Sequence, residues 1–169
     1  AQIPAVFAVY TVDSSGRAEV STLEDLLAAL DNPSVSKVVV KNTITLEDGT
    51  YLSANSLTTG SRKIVQVEYP FLPDNGKVTL KANNGVYNEI LTPASGEYST
   101  YNLFDIQDGA SVTISNLTLY GGFEGSRTVN GDAASTGGID NDGHLTMYDT
   151  DILRTGTALL NRPGATAVL

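Results

Sequence analysis

The stretch from Gly137 to Gly156, GGIDNDGHLTMYDTDILRTG, gathers four aspartates (Asp140, Asp142, Asp149, Asp151), the only histidine of the chain (His144) and Arg154. Residues of these types can do two kinds of chemistry. Carboxylates in opposite protonation states act as general acid and base, and a group of carboxylates holds a hard cation through its oxygens. The third reading is structural, because Asp and Asn tolerate tight turns and bond their own backbone. Choosing among the three requires the elements that carry these residues.

The metal and hydrolase readings are each incomplete at a named position. Asp140-Asn141-Asp142-Gly143 matches positions 3 to 6 of an EF-hand loop and Asp149 the twelfth, but Gly138 stands where the first acidic ligand is needed. His144 has no cysteine and no second histidine for company, so a transition-metal site would have only carboxylates as its other charged ligands. Asp149 and Asp151 are spaced plausibly for a glycosidase pair, yet one sits at a turn and the sequence around neither marks an apolar pocket. There is no G-x-S-x-G elbow, phosphate loop or nucleotide fingerprint, and the glycines of GGFEG at 121–125 read as a loop. Threonines 113, 118, 146, 150 and 157 show no constant offset, which disfavours a ranked, ice-binding face. No catalytic, cofactor-binding or metal-ligating residue is assigned.

Around that stretch the chain reads as short strands and one helix. In STLEDLLAALDNP, Ser21 is the expected N-cap and Glu24 its capping-box partner. Leu23, Leu26, Leu27 and Leu30 then form one apolar stripe, and Asn32-Pro33 ends the helix. Such a helix suits a lid over the end of a core. Runs at 37–46, 62–69, 77–82, 101–107, 111–120, 144–153 and 157–161 are rich in Val, Ile, Thr and Tyr and are separated by turn sequences. Superposing the turn glycines aligns DGASVTISNLTLYGG from Asp108 with DGHLTMYDTDILRTG from Asp142, one residue being dropped after Gly143. PGATAVL from Pro163 forms a third copy, with Gly143 and Gly164 21 residues apart. A unit near this length is that of a solenoid.

The same superposition favours the structural reading of the aspartates. It places Asp149 at the position of Asn116, Asp140 at that of Asn161, Asp142 at that of Asp108 and Asp151 at that of Thr118 on the outward face.

Charge narrows the partners. The chain of 169 residues has a net charge of −9, and Arg127, Arg154 and Arg162 are the only cations after Lys81. A surface so poor in cations excludes nucleic acid and anionic lipid as partners, and no run is long and apolar enough to insert in a membrane. The absence of cysteine excludes a disulfide framework and a thiolate metal site.

The capped helix followed by VVVKNTITL, LFDIQDGASVTISNLTLYGG and GGIDNDGHLTMYDTDI resembles the N-terminal part of pectate-lyase-like right-handed β-helices, and especially the repeats of bacterial surface adhesins and autotransporter-type passengers. The resemblance implies an all-β, right-handed parallel β-helix (solenoid) of about five coils over residues 1–169, with an N-terminal capping α-helix within about 1–35 and coils over about 36–169. It also implies a secreted or cell-surface location, in bacteria or archaea. Its two functional classes are display scaffolds and polysaccharide lyases or glycoside hydrolases, and the display scaffold is favoured. A lyase would need calcium-gathering carboxylates and a basic residue beside the sugar, for which Arg154 is the nearest candidate. Without a catalytic assignment, the expected partners are host or cell-surface glycans or proteins, with Tyr87, Tyr98 and Tyr101 able to stack on sugars. The third copy stops at Leu169 where the earlier ones continue, which predicts a fragment of a longer protein that self-associates as a homodimer through residues near 157–169.

Overall fold

The computed structural model describes residues 9–46, 52–53, 62–66, 78–82, 102–120, 127–129, 132–134, 137–155 and 157–169. Most strands lie in three parallel sheets. The largest has six: β1 (Arg17–Val20), β2 (Lys37–Val40), β5 (Arg62–Gln66), β8 (Ser111–Ser115), β13 (His144–Tyr148) and β16 (Thr166–Val168), in that spatial order. A second holds β3 (Ile44–Leu46), β6 (Val78–Ala82), β9 (Leu117–Tyr120) and β14 (Asp151–Leu153). The third holds β4 (Leu52–Ser53), β7 (Asn102–Ile106), β12 (Gly137–Asn141) and β15 (Leu159–Asn161). An antiparallel ribbon of β10 (Arg127–Val129) and β11 (Asp132–Ala134) interrupts the parallel pattern.

All three parallel sheets feed one apolar core. Val38, Val65 and Ile114 come from the six-stranded sheet, Ile44, Leu80 and Leu119 from the second, and Phe104 and Ile139 from the third. Every second residue turns inward, as strand geometry requires, and the β-branched residues suit that half-buried surface.

The helix α1 (Leu23–Asp31) packs on β1, β2, β3 and β4. Its cap is Thr22, whose Oγ1 accepts from the Asp25 amide at 3.2 Å, one residue later than the Ser21 expected. Asp25 does not complete a capping box, because its carboxylate accepts the Val9 amide at 2.7 Å. The predicted stripe is otherwise present: Leu26, Ala29 and Leu30 are buried, Leu23 and Leu27 partly so.

The expectation of a right-handed parallel β-helix is corrected here. Among the described residues the strands form separate parallel sheets of six, four and four strands, a ribbon and a helix, with no closed solenoid. A sequence repeat reports that successive units stack in parallel; it does not report that every unit closes around the interior. β1 runs into α1 instead of into strands of the other two sheets, and the ribbon breaks the path between β9 and β12. The dominance of strands remains compatible with an all-β class.

The strand register follows the superposition: β8 and β13 pair as Ser111 with His144 and Ile114 with Met147, and β13 and β16 pair as His144 with Thr166. The departure lies in the corners, where the dropped residue falls before Gly143 and not after it. Corners between the third sheet and the largest differ in length: residues 107–110 and 162–165 form four-residue turns, closed by amide bonds from Ala110 to Gln107 and from Ala165 to Arg162, both 3.0 Å. Gly109 and Gly164 take the left-handed positions of those turns (φ 79° and 93°). Between β12 and β13 the corner shrinks to Asp142-Gly143, and a side chain at Gly143 would collide with the carbonyls of Gln107 and Ala110. Gly143 therefore matches Ala110 in space, not Gly109.

Candidate functional site

The aspartates of the 137–156 stretch separate into distinct environments. Asp140 lies within β12, in register with Asp105 of β7 and Leu160 of β15, so it is neither a turn residue nor the counterpart of Asn161. It is 8% exposed, and Arg162 binds both of its oxygens, Nε to Oδ1 at 2.8 Å and a terminal nitrogen to Oδ2 at 2.7 Å. This two-point pairing is the strongest carboxylate contact that a side chain can make. It raises the Arg162 pKa further and ties the corner after β15 to the neighbouring strand.

Asp105, beside it, is pushed the other way. Partial burial raises its pKa, the Asp140 and Asp142 carboxylates add to the rise, and Arg162 and a 3.2 Å bond from Gln107 oppose it. Neighbouring strands are about 4.8 Å apart. Carboxyl groups on adjacent strands with unlike environments are the kind of pair from which an acid and a nucleophile can be made. Here Asp140 already spends both oxygens on Arg162.

One residue on, Asn141 faces the interior. Its side chain donates to Asn161 Oδ1 at 2.7 Å and to the Thr166 carbonyl at 2.9 Å, and its Oδ1 accepts the Gly143 amide at 3.1 Å. Asn161 continues the chain of bonds to the Ala165 carbonyl at 3.1 Å. Asn141 gives the buried Gly143 amide its partner, and with Asn161 it ties the two corners together.

Asp149 is the turn residue expected: it and Asn116, its counterpart in the preceding layer, both adopt left-handed backbone (φ 49° and 58°). This bend separates β8 from β9 and β13 from β14, each of which the sequence presents as one run. Arg154 is also left-handed (φ 53°), and the guanidinium that clamps Asp140 belongs to Arg162. Asp151 pairs in register with Thr118, as superposed. Asp142 is exposed at the short corner, where its amide bonds the Ile106 carbonyl at 2.8 Å. His144 is exposed and shares a 2.7 Å hydrogen bond between Nδ1 and Thr166 Oγ1. Tyr87, Tyr98 and Tyr101 lie outside the described residues.

The most unusual titratable group is one that the sequence reading passed over. Lys63 on β5 points inward beside Val112 and is 1% exposed. Its ammonium donates to the carbonyls of Ala29 (3.3 Å), Asn32 (2.9 Å) and Val35 (2.7 Å), the C-terminal end of α1 and the loop that follows. Ala29 lies in the last turn of α1, where carbonyls lack intrahelical donors and carry the negative end of the dipole, and Asn32 and Val35 lie just beyond it, so an ammonium there is both cap and counter-charge. Burial lowers the Lys63 pKa to about 8, with Asp31 pulling it back up. A lysine flanking a valine-rich strand gives no sequence sign of this role, because its acceptors lie about thirty residues away.

Among the described residues no three His, Asp or Glu side chains gather as a metal-binding group, and no helix is long and apolar enough to cross a membrane. Comparison with protein-family models, curated proteins and solved structures finds no match.

Proposed function

We propose that this chain is a non-catalytic, adhesin-like contact module that works outside the cell as a rigid scaffold. One observation carries the reading: the groups best equipped for chemistry are spent on the scaffold itself. Asp140 is clamped by Arg162, Asp149 shapes a bend, and the Lys63 ammonium holds the end of α1. The resemblance of the 103–169 motifs to bacterial surface adhesins points the same way, and the net charge of −9 directs the choice of partner toward glycans and proteins instead of polyanions.

A specific observation supports a second reading, a glycoside hydrolase: the raised pKa of Asp105 beside Asp140, the carboxylate that Arg162 clamps. The two readings separate in a cleavage assay. Polygalacturonate, alginate and neutral glycans incubated with the protein, with and without calcium, are expected to stay intact. Turnover that disappears in both Asp105→Asn and Asp140→Asn would establish the hydrolase and remove the contact-module reading.

A further inference from the structure

The outer face of the six-stranded sheet changes character along its length. Where β1 and β2 lie, its outward positions include Arg17, Glu19 and Lys37. Over β8, β13 and β16 the outward positions carry no carboxylate, ammonium or guanidinium. Ser111 stands level with His144 and Thr166, and Thr113 with Thr146 and the apolar Val168. At the end of β13 Tyr148 is 50% exposed. The inward partners on these strands, Val112, Ile114 and Leu145, are buried, which fixes the hydroxyl-bearing side as the outer one.

An uncharged strip is unusual on a chain with 19 acidic and 10 basic residues. Parallel strands set its hydroxyls on a grid of about 4.8 Å across by about 6.6 Å along. Each hydroxyl both donates and accepts, and the His144 to Thr166 contact orients one row in advance. Tyr148 adds an apolar ring with a polar tip at the edge. Such a surface offers paired hydrogen bonds and a stacking plane but no charge. That combination complements a neutral polyhydroxylated chain, whereas acidic polymers meet the field of an acidic protein. The ring of Tyr148 and the imidazole of His144 interrupt the hydroxyl ranks, so the strip is not a uniform template for ordered water.

We infer that the strip over β8, β13 and β16 is a binding face for neutral glycans, with Tyr148 as the stacking residue and Thr146 at its centre. This rests on the contact-module reading and names its ligand class. The test is affinity electrophoresis of the whole chain in galactomannan, xyloglucan and mixed-linkage β-glucan, with polygalacturonate as the acidic comparison. Retardation by at least one neutral polymer and by none of the acidic one is expected. Tyr148→Ala should weaken it about tenfold, the loss of roughly 1.4 kcal/mol of stacking and contact. Thr146→Lys should abolish it, while Lys37→Ala, on the charged part of the same sheet, should leave it unchanged. Both strip residues are exposed, so unaltered melting curves are expected and would confirm that the variants fold. Retardation insensitive to Tyr148→Ala and Thr146→Lys would overturn the assignment of the face while leaving a glycan-binding module intact. Failure to bind any neutral polymer, or thermal hysteresis in its place, would overturn the ligand class. Neither result produces turnover, so each is distinguishable from failure of the non-catalytic reading.

Discussion

The apolar interior meets its surroundings differently at its two ends. At the first, α1 lies over β1 to β4 and buries Leu26, Ala29 and Leu30, with Lys63 reaching from β5 to fasten its C-terminal end. At the other, β14, β15 and β16 are each the last strand of their sheet among the described residues. There the inward Ile152, Leu159 and Ala167 are only partly buried, and at the outward positions beside them Leu153, Leu160 and Val168 stay 48%, 41% and 63% exposed. The difference teaches that covering a stack of parallel strands needs two things: an apolar stripe of the right period, and partners for the carbonyls that the cover brings with it. The first end has both.

The most damaging way to erase the contrast is to spoil the lid. Leu26→Asp places a carboxylate in a fully buried position with no donor waiting, and a loss of about 3 to 5 kcal/mol is expected. Thermal melting followed by circular dichroism reads it directly. A melting temperature within a few degrees of the parent would mean that α1 is not part of the cooperative core.

Fastening by Lys63 can be isolated through pH. With a folded pKa of about 8 against 10.5 when free, Lys63 is protonated in both states below about pH 8 and adds no pH dependence to stability there. Between about 8 and 10.5 the unfolded chain holds a proton that the folded one has released, so stability rises with pH, by up to about 3 kcal/mol. The neutral amine keeps two donors, enough for the shorter bonds to Asn32 and Val35. Lys63→Met should cost about 1 to 3 kcal/mol at neutral pH by leaving carbonyls unpaired, and should remove this rise. An identical pH dependence in urea unfolding of parent and variant would refute the link.

These two features were unequally legible in the sequence. Leu23, Leu26, Leu27 and Leu30 announce α1 because helical periodicity is local, and Asp149 announces a bend because its residue type is a turn former. Lys63 and the Asp140–Arg162 pair are contacts across layers, and nothing near either residue marks its partner. Aligning glycines brought β8, β13 and β16 into their true register but paired Gly143 with the wrong corner residue, because corner length varies: Gly143 fills a two-residue corner while Gly109 and Gly164 sit in four-residue ones. The repeat conveyed parallel stacking, but the expected closure failed because β1 leads into a helix and a ribbon is inserted before β12.

The bare end should declare itself in solution. Open strand edges flanked by exposed Leu153, Leu160 and Val168 invite pairing, and α1 blocks the opposite end from serving as the complement. A second copy can therefore meet this end only with its own like end, a two-fold contact. Sedimentation at micromolar concentration is expected to show dimers, and the double substitution Leu160→Lys with Val168→Lys to return monomers with unchanged melting. A parent that stays monomeric as concentration rises would count against pairing at this end.

The smallest expected effect concerns the bend itself, and it decides between chemistry and scaffold at the residue where the two readings compete most directly. Asp149 and Asn116 occupy equivalent left-handed positions in successive layers, so the site asks for a short polar side chain that tolerates positive φ and not for a charge. Asp149→Asn should thus move stability by no more than about 0.5 kcal/mol, within the usual range for exposed substitutions. Asp149→Val, with a branched side chain forced into the same backbone, should cost about 1 to 2 kcal/mol. Chemical denaturation of both variants makes the comparison, with glycan retention measured alongside. If the asparagine variant proved as unstable as the valine one, the carboxylate itself would be doing structural work at the bend; if it lost glycan retention while melting normally, Asp149 would belong to a binding site that the scaffold reading does not contain.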